Sequence, residues 1–262
     1  MSSQTLRVEE DHGVLTIALH RPEVHNAFND ELIEEMIDLL ERMQDRTDLR
    51  VAVLRGDGAN FCAGADLNWM SRMVSWGRDE NVRDSAKLAK MFLLLNEFPV
   101  PVVGRIQGAA IGGGVGLVSI CDVAIAEENT KFGLSEVKLG ILPAVISPYV
   151  IAKIGTTYAR ALFLSGERFD GKRAAAIGLV HATADGESAL DRLVDEKVQL
   201  LLGSGPEAVR ECKRLISYVA GHELADAIPY TIEAIATRRA SEEGQAGMKA
   251  FLRKARAPWA AK

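Results

Sequence analysis

Four runs rich in valine and isoleucine, at residues 14–19, 51–55, 100–106 and 123–126, limit what this chain can fold into. Each has the β-branched composition of a strand. Helical patterns fill the intervals. Asp30 is a suitable cap for a helix in which Leu32, Ile33, Met36, Ile37, Leu40 and Met43 recur at i, i+3, i+4 spacing. A second helical stretch covers roughly residues 80–96 and ends at Phe98-Pro99. Strands alternating with helices predict an α/β domain with crossover connections.

Beyond about Pro143 helical patterns dominate, with one short strand expected at residues 179–182. Gly203-Ser204-Gly205-Pro206 is the clearest break, and Pro206 suits the first turn of a following helix. The expected organisation is a core over residues 1–200 and a helical C-terminal region over residues 201–262. A chain of 262 residues allows one large domain or one domain with an extension.

Charge and cysteine usage exclude several functions. Against 31 basic residues stand 36 acidic ones, a net charge of −5, which argues against a nucleic-acid binder or a polybasic membrane-surface protein. Cys62, Cys121 and Cys212 lie far apart and form no CxxC pair, so neither a disulfide scaffold nor a structural zinc site is expected. No basic segment followed by an apolar one marks a secretory signal. The longest uncharged stretch, residues 106–121, is too short and too glycine-rich to span a membrane, which takes ~20 apolar residues. The expectation is a soluble protein of the cytoplasm or an organelle matrix.

Other chemical motifs fall away. The cluster at Gly112-Gly113-Gly114-Val115-Gly116 lacks GxGxxG spacing and the downstream acidic residue of a dinucleotide site. Ser135-Glu136-Val137-Lys138 matches SxxK without its SDN or KTG partners, and chance explains it. The five histidines show no metal-ligand spacing, so no metal is expected. Cys62 and Cys121 sit among apolar residues and read as buried, inert thiols.

Three segments remain. Two are glycine-containing turns after strands: Asn60-Phe61-Cys62-Ala63-Gly64-Ala65-Asp66-Leu67 and Gln107-Gly108-Ala109-Ala110-Ile111-Gly112-Gly113-Gly114. Small residues let a ligand approach the backbone, and peptide N–H groups there can face an oxyanion. Tight strand–helix packing is the other use of such glycines. The third segment holds Glu136 between apolar neighbours; partial burial would raise its pKa and suit it to proton transfer. Pairing with Lys131 or Lys138 is the structural alternative.

In order, FCAGADL, GAAIGGGVGLVSICDVAIA and KFGLSEVKLGILPAVISP resemble the enoyl-CoA hydratase/isomerase family, the crotonases. The similarity runs from Val14-Leu15-Thr16 through Arg21-Pro22 and Asn26-Ala27-Phe28 to Ala250-Phe251-Leu252-Arg253-Lys254, nearly the whole chain. The resemblance implies a crotonase-like α/β fold of repeated ββα units with a helical C-terminal trimerisation region. It implies an acyl-CoA thioester substrate, coenzyme A entering as part of that substrate with no separate cofactor, and a homotrimer or dimer of trimers. By motif position the backbone N–H groups of Ala65 and Gly113 form an oxyanion hole, and Glu136 is the catalytic carboxyl. His25, Ala27, Ala63, Asp66 and Leu67 fall at coenzyme A positions, with Phe251 and Lys254 reaching the coenzyme A of a neighbouring subunit.

One departure matters. Hydratases of this family carry two catalytic glutamates, and the first position falls on Gly116. The usual PGxGGTQR after the second glutamate is replaced by Pro143-Ala144-Val145-Ile146-Ser147-Pro148. These features look like bacterial hydratases of branched glutaconyl-type thioesters, methylglutaconyl-CoA or isohexenylglutaconyl-CoA, from leucine and acyclic-terpene degradation. A carboxylated substrate would then help orient water in space left at Gly116. The alternatives are a single-glutamate 3-enoyl-CoA isomerase and an inactive or RNA-binding relative. Arg72, Arg78 and Arg83 read mainly as solvated helix arginines, and Trp69, Met70 and Met73 as pocket lining or core.

Overall fold

The computed structural model describes residues 5–260. Leu6–Asp11 (β1) pairs antiparallel with Val14–Leu19 (β2), and helix Asp30–Met43 (α1) crosses over to Val51–Gly56 (β3), parallel to β2. Helices Leu67–Met73 (α2) and Arg78–Asn96 (α3) lead to Val102–Ile106 (β4). Ala109–Ile111 (β5), Gly113–Ile120 (α4), Val123–Glu127 (β6) and Lys131–Gly133 (β7) follow. A 3-10 turn at Glu136–Leu139 precedes Ser147–Ser165 (α5), Arg168–Phe169 (β8), Gly171–Ala176 (α6) and Ala182–Ala184 (β9). Glu187–Leu202 (α7), Pro206–Ala220 (α8), Leu224–Ala240 (α9) and Glu242–Leu252 (α10) complete the order.

Six strands form one sheet in the order β1-β2-β3-β4-β6-β9, all parallel from β2 onward. A smaller sheet has the order β5-β7-β8. The chain therefore repeats one step: a long strand in the main sheet, a short one in the second layer, then a helix. β4-β5-α4 is one such unit, and β6-β7-α5 the next. In the unit that starts with β3, Cys62 takes the short-strand place through a bridge to Ala110.

Strand alternation sends side chains to both faces of the main sheet. Ala52 and Leu54 join the large core with the Leu32–Ile33–Met36–Leu40 stripe of α1 and with Phe92, Val115 and Ile146. Val51, Val53, Val103 and Ile125 meet Leu190, Val194 and Val198 of α7 on the opposite face. Among the described residues after Leu202, Ala227 is the one buried hydrophobic. The C-terminal region is tied on by polar groups instead: Arg210 donates to the carbonyls of Arg46 and Leu49, and Lys213 to Asp122 at 2.7 Å.

Several local expectations need correction. Asn29, not Asp30, caps α1: its side chain accepts from the Leu32 N–H at 2.9 Å, and Asp30 is the first helical residue. The strand expected at residues 179–182 lies at Ala182–Ala184, because Leu179 and Val180 turn into the core and are buried. β4 starts at Val102, since Pro101 has no N–H to give a ladder. β1 carries three acidic residues in LRVEED and was not anticipated; it is an edge strand with solvent on one face, where charge is tolerated.

Candidate active site

Chain segments 25–28 and 63–66 run side by side. The Ala63 N–H donates to the His25 carbonyl at 3.0 Å, the Phe28 N–H to Gly64 at 2.6 Å, and the Asp66 N–H to Phe28 at 2.8 Å. On its other side, the first glycine turn pairs with the second. Cys62 donates to Ala109 at 3.0 Å and accepts from Ile111 at 2.9 Å. Close approach dictates glycine here: Gly64 has φ +95°, and a Cβ on it would lie 3.0 Å from the Ile111 carbonyl oxygen. Gly112, at φ 53° and ψ −117°, caps α4 in a conformation reserved for glycine.

Ladder geometry decides which N–H groups stay available. Phe28 uses the groups of Gly64 and Asp66, so the Ala65 N–H between them faces away from this pairing. Gly113 is the first residue of α4, where helical N–H groups have no intrahelical acceptor. Among the described residues neither the Ala65 nor the Gly113 N–H donates to a protein acceptor. Ala65 is exposed and Gly113 half-buried, so both remain open to a ligand. Such donors are what a developing oxyanion needs.

Glu136 follows β7, whose Gly133 carbonyl accepts from the Gly112 N–H at 2.8 Å. Its carboxylate lies over this turn: a Cβ on Gly112 would sit 3.1 Å from Glu136 Oε1. Oε2 is buried without a hydrogen-bond partner. Burial pushes the carboxyl above its ordinary value. The pairing with Lys131 or Lys138 does not form among the described residues: Oε2 has no partner, and neither lysine acts on the carboxyl. An unpaired, desolvated carboxyl beside open N–H donors is equipped to move a proton.

Position 116 holds no spare room. A Cβ on Gly116 would collide with Ile146 Cγ2 and stand 2.9 Å from both Ile146 Cβ and Phe92 Cε1. The space expected there is filled by hydrocarbon.

His25, Ala27, Ala63, Asp66 and Leu67 are brought together by the pairing of 25–28 with 63–66. Their environments differ. Leu67 is 81% exposed, whereas the Asp66 carboxylate caps α2 through the Asn68 and Trp69 N–H groups and pairs with Arg21 at 2.9 Å. His25 Nδ1 faces Asn60 Nδ2 at 3.0 Å. Phe251 and Lys254 lie apart, at the end of α10, which packs on α9. Of the arginines considered, Arg72 pairs with Asp30 and Arg78 with Asp79. Trp69 is buried and donates to Asp84; Met73 packs on the core.

The sequence model of the enoyl-CoA hydratase/isomerase family matches residues 9–262. The chain belongs to this family. Its fold resembles an enoyl-CoA hydratase from Shewanella pealeana, with 38% identity and a TM-score of 0.93 over 98% of this chain and 97% of the other. It is also similar to AtuE of Pseudomonas aeruginosa, at 34% identity and a TM-score of 0.96 over 98% and 100% of the two chains. Among curated relatives, the 2,3-dehydroadipyl-CoA hydratase of Escherichia coli is 29% identical over 95% of this chain and 96% of its own length. The crotonase fold expected from the motifs is the fold observed.

Within this enoyl-CoA hydratase/isomerase enzyme, three residues carry positioning roles that sequence reasoning did not assign. Phe28 lays its ring where a Cβ on Gly113 would come within 2.7 Å, which keeps that position to glycine. Asn26, buried, donates to the Asp57 and Asn60 carbonyls and accepts from the Arg21 N–H, fixing the turn beside Ala63. Ile146 closes position 116. The Asn26-Ala27-Phe28 motif was visible as a signal for the first two; nothing local marks Ile146. Among the described residues no group of metal-ligating side chains is present, and no helix is long and apolar enough to cross a membrane.

Proposed function

We propose that the protein hydrates the 2,3 double bond of a branched, glutaconyl-type enoyl-CoA, with Glu136 as its one catalytic carboxyl. The thioester oxygen accepts from the Ala65 and Gly113 N–H groups. Glu136 takes a proton from water as the water oxygen bonds to C3, and the enolate charge collects on the thioester oxygen. Glu136 then gives that proton to C2, so one water is added and the carboxylate is regenerated. The observation that carries this reading is the buried, unpartnered Glu136 oxygen at the turn that opens α4.

The glutaconyl preference is supported by the GGGVGLVSICD and LSEVKLGILPAVISPYV segments and by similarity to a hydratase named for a dicarboxylic thioester. It fits a place in leucine or acyclic-terpene degradation. The side-by-side segments 25–28 and 63–66 supply the coenzyme A contacts. α8 has no buried residue, and Ile216, Leu224, Ile228 and Ile232 are exposed, which suits a trimer that brings Phe251 and Lys254 to a neighbour's coenzyme A.

A second reading is isomerisation of a 3-enoyl-CoA, favoured by the closure of position 116, since one carboxyl suffices to carry a proton between C2 and C4. Ultraviolet absorbance of the conjugated enoyl thioester separates the two. Loss of absorbance with 3-methylglutaconyl-CoA and not crotonyl-CoA supports the proposal; a gain from a 3-enoyl-CoA supports isomerisation. Glu136→Gln should lower kcat by about 10²–10⁴-fold while calorimetry still detects thioester binding. Full activity in that variant refutes the role.

A further inference from the structure

Gly116 is an ordinary helical residue: its N–H donates to the Gly112 carbonyl at 3.2 Å. Space alone makes it glycine. It stands one turn after Gly112, the residue over which the Glu136 carboxylate lies. The occupant of its side-chain volume is Ile146, 3% exposed at the residue before α5, backed by the fully buried Phe92 ring. Phe92 is itself held between Phe28, at 6.2 Å, and Tyr149, at 5.9 Å between centroids. Since Phe28 also abuts Gly113, the wall and the oxyanion turn share one packed row. The wall cannot retreat without disturbing that row.

Two departures from the family pattern therefore meet in space. Glycine replaces glutamate at 116, and isoleucine replaces the glycine of PGxGGTQR at 146. Bulk has passed from the helix to the loop before α5, and a carboxylate has given way to a hydrocarbon side chain.

We propose that Ile146 is a specificity-determining residue of the acyl site: it occupies the volume a second acid would need and gives the acyl group an apolar wall opposite Glu136. The inference rests on Glu136 being the proton carrier. It requires both proton steps to pass through that one carboxyl, and it places a hydrocarbon part of the substrate, such as an alkyl branch at C3, against Ile146.

Crotonyl-CoA and 3-methylcrotonyl-CoA differ by the C3 methyl alone and probe the wall directly. Their affinities, measured by calorimetry in a Glu136→Gln background, do not depend on turnover. Adding Ile146→Ala should shift the affinity ratio at least fivefold toward the branched thioester; a ratio changed less than twofold overturns the proposal. With Glu136 restored, Gly116→Glu alone should lower the melting temperature and activity, and Gly116→Glu with Ile146→Gly should recover both. The double variant should hydrate crotonyl-CoA at least tenfold faster than either single variant, with a second ionisation in the pH profile of kcat/KM. A Gly116→Glu protein as stable and as active as the double variant also overturns it. If the double variant is insoluble, the affinity ratio decides. Undiminished activity in Glu136→Gln instead refutes the parent reading, separately from the Ile146 result.

Discussion

Asp66 stands at a coenzyme A position by resemblance, yet its carboxylate is already engaged. Oδ1 accepts from the Asn68 N–H at 2.8 Å and the Trp69 N–H at 3.2 Å, capping α2, while Oδ2 accepts from Arg21 at 2.9 Å. The two side chains are 4% and 15% exposed. Burial opposes ionisation, but the Trp69, Arg21 and Asn68 donors outweigh it and hold the carboxyl below its usual range. Arg21 also donates to the Ala27 carbonyl at 2.5 Å, so this pair ties segment 25–28 to Asp66, the residue after Ala65.

Asp66→Ala removes a cap worth about 1 kcal/mol and strands a largely buried guanidinium at about 3 kcal/mol, roughly 4 kcal/mol in all. Asp66→Asn keeps the capping oxygen but turns an amide N–H toward Arg21, losing the charge and that hydrogen bond, at about 2 kcal/mol. Urea titrations at pH 7 should rank the midpoints wild type, Asn, Ala, with little change in slope. Because the native pKa is depressed, the stabilisation is complete above the unfolded value and lost as pH falls through the folded one; the gap between wild type and Ala should narrow in acid. An unchanged midpoint in Asp66→Ala, with weakened thioester binding, would refute the structural role and make Asp66 a ligand contact.

Glu136 has the opposite linkage. Its native pKa is raised, so the folded state holds its proton longer, and stability falls as pH rises from about the unfolded value of 4.5 through the raised one. Urea midpoints at pH 4.5 and 7.5 should show Glu136→Gln gaining on wild type at the higher pH; a constant or reversed difference counts against a desolvated carboxyl. Burial pushes the Cys62 and Cys121 thiols up to about 12, while Cys212 is exposed. A thiol reagent should titrate one cysteine in the native protein and three in denaturant, and fast reaction of more than one native thiol contradicts the packing described.

Much of the fold was legible because its signals are local. Valine-rich runs marked β2, β3, β4 and β6, the Leu32–Leu40 stripe marked α1, and Pro206 marked the start of α8. The charged edge strand β1 escaped because it has little apolar surface to bury. The Asn29 cap escaped because Asn29 and Asp30 are both good capping residues, and backbone dihedrals choose between them.

At the site, the sequence by itself determined the residue types and their order: two small-residue turns, then Glu136, with glycine at 116. Tertiary structure decided what they do together. Cys62 pairing with β5 sets the first turn beside the second, and the Gly112–Gly133 hydrogen bond brings Glu136 over α4. These contacts join segments tens of residues apart through strand order, which hydrophobic periodicity does not encode. Gly116 is the sharpest case. Along the chain it reads as an empty place, and in space Ile146, thirty residues later, has filled it, since a close-packed interior leaves no room unassigned.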